Sequence, residues 1–107
     1  MGMDMRSLLK ILVEKKASDL HITADSSPKI RIDEKLIEVD KTILSPADTK
    51  NLAYSILTKE QIATFERDKE LDLSFEIAGV SRFRVNVFIQ RGKIGVAIRM
   101  IPYKIMS

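Results

Sequence analysis

Cysteine is absent from this 107-residue chain, and glycine, histidine and aromatic side chains are scarce. Without cysteine there are no disulfides and no thiolate metal sites, and a reducing compartment is the natural setting. The glycines are Gly2, Gly79, Gly92 and Gly95, and none belongs to a GxxxxGK(S/T) phosphate loop. His21 is the single histidine, and no nucleophile is marked beside it, so a serine–histidine–acid site has no basis. Acidic residues are spread along the chain without the paired carboxylates that a metal or glycosidic site needs. No apolar run reaches the length of a membrane span, and no signal peptide precedes the first helix. Together these absences point away from an enzyme and away from a metal protein.

What is present fits one folded domain, long enough to bury about 65% of its unfolded surface. The formal net charge of +3 hides an asymmetry. From Ile77 onwards there are six basic residues, Arg82, Arg84, Arg91, Lys93, Arg99 and Lys104, and no acidic one. The preceding 76 residues carry 12 basic and 15 acidic side chains. Positive charge concentrated at one end suits a phosphate, a nucleic acid or an acidic protein surface.

The basic end reads as a β-hairpin from Ser81 to Ile101. Phe83, Val85, Val87 and Ile89 alternate with Arg82, Arg84, Asn86, Phe88 and Gln90, and Ile94, Val96, Ile98 and Met100 alternate with Gly95, Ala97, Arg99 and Ile101. Arg91-Gly92 supplies the turn, where glycine accepts the positive φ that tight hairpins require. Matching the apolar faces fixes the register, because a slip of one residue would turn core side chains outwards. Gln90 then faces Lys93, Val85 faces Ile98, and Arg84 faces Arg99, with Arg82 on the diagonal. Facing like charges destabilise a sheet unless something anionic lies over them.

The rest of the chain supplies the packing partners. Asp4 to Lys16 reads as an amphipathic helix, and Asp19 to Thr23 as a short strand with Leu20 and Ile22 inward and Asp19, His21 and Thr23 outward. Lys29–Asp33 and Lys35–Val39 form a second hairpin turning at Asp33-Glu34. Ser45, Pro46 and Asp48 open a helix whose apolar positions are Ala47, Leu52, Ala53, Ile56 and Leu57. Thr58 to Gln61 is a second capping box, opening a further helix that carries Ile62, Ala63 and Phe65. Leu71, Leu73, Phe75 and Ile77 alternate as a strand that pairs Phe75 with Phe83, Glu76 with Arg82 and Ser74 with Arg84. Pro102 ends the last strand. The order of elements predicts an α+β domain, one antiparallel sheet with helices on its apolar face.

Two readings stand beside each candidate residue. His21 is a ligand or proton shuttle, or a strand histidine hydrogen-bonded to Asp19; the second is the simpler, since one histidine rarely makes a site. Arg82 forms a cross-strand pair with Glu76, worth about 0.2–1 kcal/mol if exposed, or it binds an anion. Arg84 and Arg99 have no carboxylate expected directly opposite, and an anion-binding role is preferred over simple solvation. Arg91 and Lys93 flank a turn and are expected to be solvated.

Four phrases, ASDLHI (Ala17–Ile22), PKIRID (Pro28–Asp33), SRFRVN (Ser81–Asn86) and RMIP (Arg99–Pro102), occur in that order. With them the chain resembles the N-terminal domain of the type IV pilus retraction ATPases, the PilT family of twitching motility proteins within the type II/IV secretion ATPase superfamily. The resemblance runs from about Met3 to Lys104. It implies a PAS-like domain over residues 1–104, and at 105–107 the start of a linker to a RecA-like motor domain that is absent from this chain. It further implies a cytoplasmic homohexamer at the inner-membrane pilus machinery, with no nucleic acid. There this domain packs on a neighbouring motor domain and directs arginines at ATP phosphates. The matching positions are Arg84 and Arg99, with Arg82 as a third. ATP and magnesium are expected only in the full-length assembly, and no hydrolysis from this piece. One departure is the turn at Asp33-Glu34, where the family often has Asp-Gly, which implies a looser hairpin or another turn type.

Two other functions compete. A stand-alone PAS-type sensory or interaction module would hold a small molecule in its core, but no buried polar constellation marks a pocket. A nucleic-acid binder would use the basic hairpin, but only Phe88 offers a stacking surface on the arginine face.

Overall fold

Apolar residues at alternate positions in six short segments, and at helical spacing in three others, assemble here into one sheet and a helical layer. The structure, a computed structural model, describes residues 4–101. Pro102, Tyr103, Lys104 and the expected linker at 105–107 therefore lie outside the described residues, as does Met1-Gly2. The elements are α1 (Met5–Glu14), β1 (Asp19–Ile22), β2 (Lys29–Ile32), β3 (Lys35–Glu38), α2 (Pro46–Tyr54), α3 (Lys59–Asp68), β4 (Glu70–Ile77), β5 (Ser81–Gln90) and β6 (Lys93–Ile101). The strands lie in the order β3-β2-β1-β6-β5-β4 and every neighbouring pair is antiparallel. This is the α+β architecture read from the sequence.

The β5–β6 hairpin has the expected register throughout, from Gln90 opposite Lys93 to Phe83 opposite Met100. Arg91 and Gly92 both take positive φ, 55° and 77°, the twist-matched geometry of a two-residue hairpin turn. β4 joins in the expected register too, with Phe75 against Phe83 and Glu76 against Arg82. The β2–β3 hairpin is not loosened by its missing glycine. Ile32 faces Lys35 across the turn, and Asp33 and Glu34 both sit in the left-handed region, at φ 50° and 68°. Acidic residues tolerate that region poorly compared with glycine. The Arg31 guanidinium, donating to the Glu34 carbonyl at 3.2 Å, helps to hold the turn.

The inward face of the sheet is set by Leu20, Ile22, Ile30, Phe83, Val85, Val87, Val96 and Ile98, all buried. The helices pack on that face with Met5, Leu8, Leu9 and Leu12 from α1, Leu52 and Ala53 from α2, and Phe65 from α3. Both expected capping boxes are formed. The Ser45 hydroxyl accepts from the Asp48 amide at 3.1 Å while the Asp48 carboxylate accepts from the Ser45 amide at 2.8 Å. Thr58 and Gln61 do the same for α3. Two details differ from the sequence reading. Helix α1 stops at Glu14, with Lys15 as its cap and Lys16 left-handed. In α2 Thr49 is buried along with Leu52 and Ala53 while Ala47 is exposed; the Thr49 hydroxyl donates to the Pro46 carbonyl at 3.1 Å, which makes its burial tolerable.

Two predictions follow from this packing. Phe83→Ala removes a fully buried ring and lowers the unfolding free energy by about 3–5 kcal/mol, read from urea denaturation. The Ser45 backbone amide, and then its hydroxyl, hold the Asp48 carboxyl below its ordinary value of 3.8. A depressed folded pKa means that this contribution is complete above the ordinary value and is lost as pH falls through the lower, folded one. The melting temperature therefore declines below about pH 4, and Asp48→Asn makes that decline shallower.

Candidate anion-binding site

Helices cover one face of the sheet, and the other face is polar. Because neighbouring strands are in register, its side chains form rows running across the sheet. One row reads Arg31 (β2), Asp19 (β1), Arg99 (β6), Arg84 (β5) and Ser74 (β4). The next reads Lys29, His21, Ala97, Asn86 and Asp72. Arg84 and Arg99 stand side by side as expected. Both line a shallow groove of about 240 Å³, together with Asp19, His21, Asp72 and Asn86.

The two arginines differ in their surroundings. Among the described residues no carboxylate pairs with Arg84, whose side chain is exposed. Arg99 does have an opposing carboxylate, contrary to the sequence expectation. Pairing of β1 with β6 sets Asp19 directly across from it, with Nε 3.5 Å from Oδ1. The other carboxylate oxygen of Asp19 takes the Arg31 Nε at 3.1 Å. This row therefore holds three guanidinium groups and one carboxylate, a local excess of positive charge.

Arg82 lies one row further along and does not line the groove. Its Nη2 is 4.0 Å from Glu76 Oε1, with both side chains at least half exposed, so the expected cross-strand pair is present but weak. His21 is not bonded to Asp19, as its simpler reading required. Both oxygens of Asp19 are already engaged by arginine, and the buried His21 Nε2 has no partner among the described residues. Lys93 is not merely solvated either, since its ammonium pairs with Asp25. Phe88 sits over Gly95, where a Cβ would come within 2.6 Å of its ring. That ring is packed across the strand pair and is not a free stacking platform. Asn86 donates to Asp72 at 2.8 Å. No group of three His, Asp or Glu side chains among the described residues is placed to hold a metal.

The chain has relatives among known proteins. The chain is 38% identical over 105 residues to the type IV pilus retraction ATPase PilT of Pseudomonas aeruginosa, matching 98% of this chain and 30% of that protein. It is 34% identical over 103 residues to the type IV pilus ATPase PilU of the same organism. A crystal structure of the pilus retraction motor PilT with bound ADP superposes with a TM-score of 0.87 over 98% of the chain. The chain matches the N-terminal domain of PilT-type secretion ATPases. It spans about 30% of the length of these PilT-type relatives. The Legionella pneumophila ATPase DotB shares the fold, with a TM-score of 0.77 at 21% identity. No family model matches the chain.

The signal for Arg84 and Arg99 was local, since hairpin register alone places them together. The contact of Asp19 with Arg99 depends on β1–β6 pairing that spans the chain, which no local pattern reveals, and its contact with Arg31 on the pairing of β1 with β2. The ion-pair geometry sets the expected stability changes. Arg82→Gln shifts the urea unfolding free energy by less than about 0.5 kcal/mol, whereas Asp19→Ala, which removes the carboxylate shared by Arg31 and Arg99, costs about 0.5–1.5 kcal/mol.

Proposed function

We propose that this chain is the N-terminal domain of a longer PilT-type ATPase, acting as a regulatory lid that brings Arg84 and Arg99 to the phosphates of ATP held by a motor domain. In this reading residues 1–104 form the domain, and 105–107 begin the linker to a RecA-like motor. The domain docks on the motor of the same or a neighbouring subunit in a homohexamer. That assembly is cytoplasmic, serves the inner-membrane pilus machinery, and binds ATP with magnesium. The bound ADP of the PilT structure is consistent with that role for the full-length assembly. None of this chain's residues is assigned to the metal, and the chain alone does not hydrolyse ATP.

The observation that carries the proposal is the facing pair of arginines on the uncovered side of the sheet. Two guanidinium forks side by side present several N–H donors to one oxyanion and neutralise more than one charge. During phosphoryl transfer, charge spreads over the equatorial oxygens of the transferred group, and an arginine placed there lowers the barrier. Arg82 supplies a third positive charge at the rim once Glu76 releases it. The reading as a stand-alone small-molecule sensor gains no support from a buried polar cluster. Leu8, Leu12, Leu20, Phe65 and Phe83 pack together in the core, and the cleft of about 960 Å³ beside α1 and β4 is lined mainly by apolar side chains such as Met5, Leu9, Val13, Ile56 and Phe75.

In a full-length ATPase carrying this domain, Arg84→Gln and Arg99→Gln each reduce ATP turnover by roughly 10–1000-fold while leaving the assembly intact on a sizing column. Arg84→Lys restores only part of the loss, since an ammonium lacks the fork. Unchanged turnover in both glutamine variants would overturn the assignment.

A further inference from the structure

We infer that Asp19 is a positioning residue of the arginine face: it parks Arg99 on its own carboxylate, and a polyphosphate must take that guanidinium from it. The inference rests on the phosphate-binding reading of Arg84 and Arg99 and extends it to a residue that reading leaves out.

Asp19 cannot be withdrawn from the row. Its backbone is paired on both sides, with Arg31 on one flank and Arg99 on the other. Its side chain is only 16% exposed. The two contacts it makes are unequal. Arg31 is anchored twice, on Asp19 at 3.1 Å and on the Glu34 carbonyl at 3.2 Å, and its side chain is 36% exposed. Arg99 has one longer contact, 3.5 Å through Nε, and its side chain is 73% exposed. Its terminal nitrogens are therefore available on the solvent side. If Arg99 turns towards an anion beside Arg84, Asp19 keeps Arg31 and is not left as an unpaired buried charge. That exchange costs little, which is what a releasable contact requires.

The resting contact also explains how the face tolerates its charge. Arg84 and Arg99 repel one another across the strand pair. Leaning Arg99 towards β1 relieves that repulsion when no anion is present. An anion placed over the pair relieves it in another way, and so competes with Asp19 for the same guanidinium. Asp19 thereby holds down the affinity of the isolated domain for free polyphosphate.

The test is a titration of this chain with inorganic tripolyphosphate at low ionic strength, followed by NMR of the arginine Nε–H signals. Asp19→Asn keeps the size of the side chain and removes the competitor, and it is expected to tighten binding about three- to tenfold. Adding Arg99→Gln to Asp19→Asn should abolish that gain. Asp72→Asn removes the same charge from the same groove without freeing Arg99, and it should give a smaller gain. Circular dichroism and urea denaturation confirm that each variant is folded. Equal gains from Asp19→Asn and Asp72→Asn would reduce the effect to net charge and overturn the inference. So would unchanged or weaker binding by folded Asp19→Asn, or a gain that survives Arg99→Gln. Failure of the underlying reading shows separately: Arg84→Gln would then leave tripolyphosphate binding by the unaltered Asp19 background unchanged.

Discussion

The pairing of β1 with β6 holds the rest of this structure in place. It joins a strand near the start of the chain to the last strand of the sheet, setting Leu20 against Ile98 and Ile22 against Val96. All four side chains are buried at 1% exposure or less. Burial of each contributes about 1.5–3 kcal/mol, ample to offset a closure entropy that grows only logarithmically with loop length. The same contact joins the β1–β3 half of the sheet to the β4–β6 half, so the six strands act as one platform. It also decides the chemistry of the opposite face. Strand side chains alternate, so the residues flanking Leu20 and Ile22 must point outwards beside those flanking Ile98. Asp19 meets Arg99 for that reason.

Charge on the outer face follows from this geometry. A sheet carrying three arginines in one row is less stable than one with alternating signs, and a single carboxylate compensates only partly. The helical side of the domain shows no such tension: its core is apolar and its helix starts are capped on both α2 and α3. Stability is thus supplied by one face and spent on the other. This excess of guanidinium over carboxylate in one row is the feature on which the anion-binding proposal rests.

Much of this was legible in the sequence because it is encoded locally. Period-two alternation and the Arg91-Gly92 turn are enough to give the β5–β6 register, and with it the Arg84–Arg99 pair. Ser45-Pro46 and Thr58 announce the helix starts by chemistry that acts within four residues. What could not be read is non-local or depends on rotamer. β1 offers only Leu20 and Ile22 as its inward pattern, too short to choose between neighbours, so the carboxylate opposite Arg99 stayed hidden. The expected His21–Asp19 bond failed because both oxygens of Asp19 are taken by arginines of other strands, Arg31 on the next strand and Arg99 far away in the chain. At Asp33-Glu34 the missing glycine suggested a different turn, yet the registered strands on either side impose the left-handed conformation on both residues.

The dimensions of the groove bear on why these arginines would act on a nucleotide held by another domain. At about 240 Å³ it is smaller than the roughly 300–1,000 Å³ of sites that enclose a small molecule. No Phe, Tyr or Trp ring lines it, and Phe88, on the same strand as Arg84, is packed over Gly95. A base and ribose would find neither enclosure nor a stacking surface here, whereas a few phosphate oxygens would find guanidinium donors. Under the proposal the face would therefore meet the charged end of a nucleotide and leave the remainder to another surface. In the proposed reading such a surface is one half of a composite site, its modest affinity for phosphate reinforced where a second protein surface fixes the rest of the ligand.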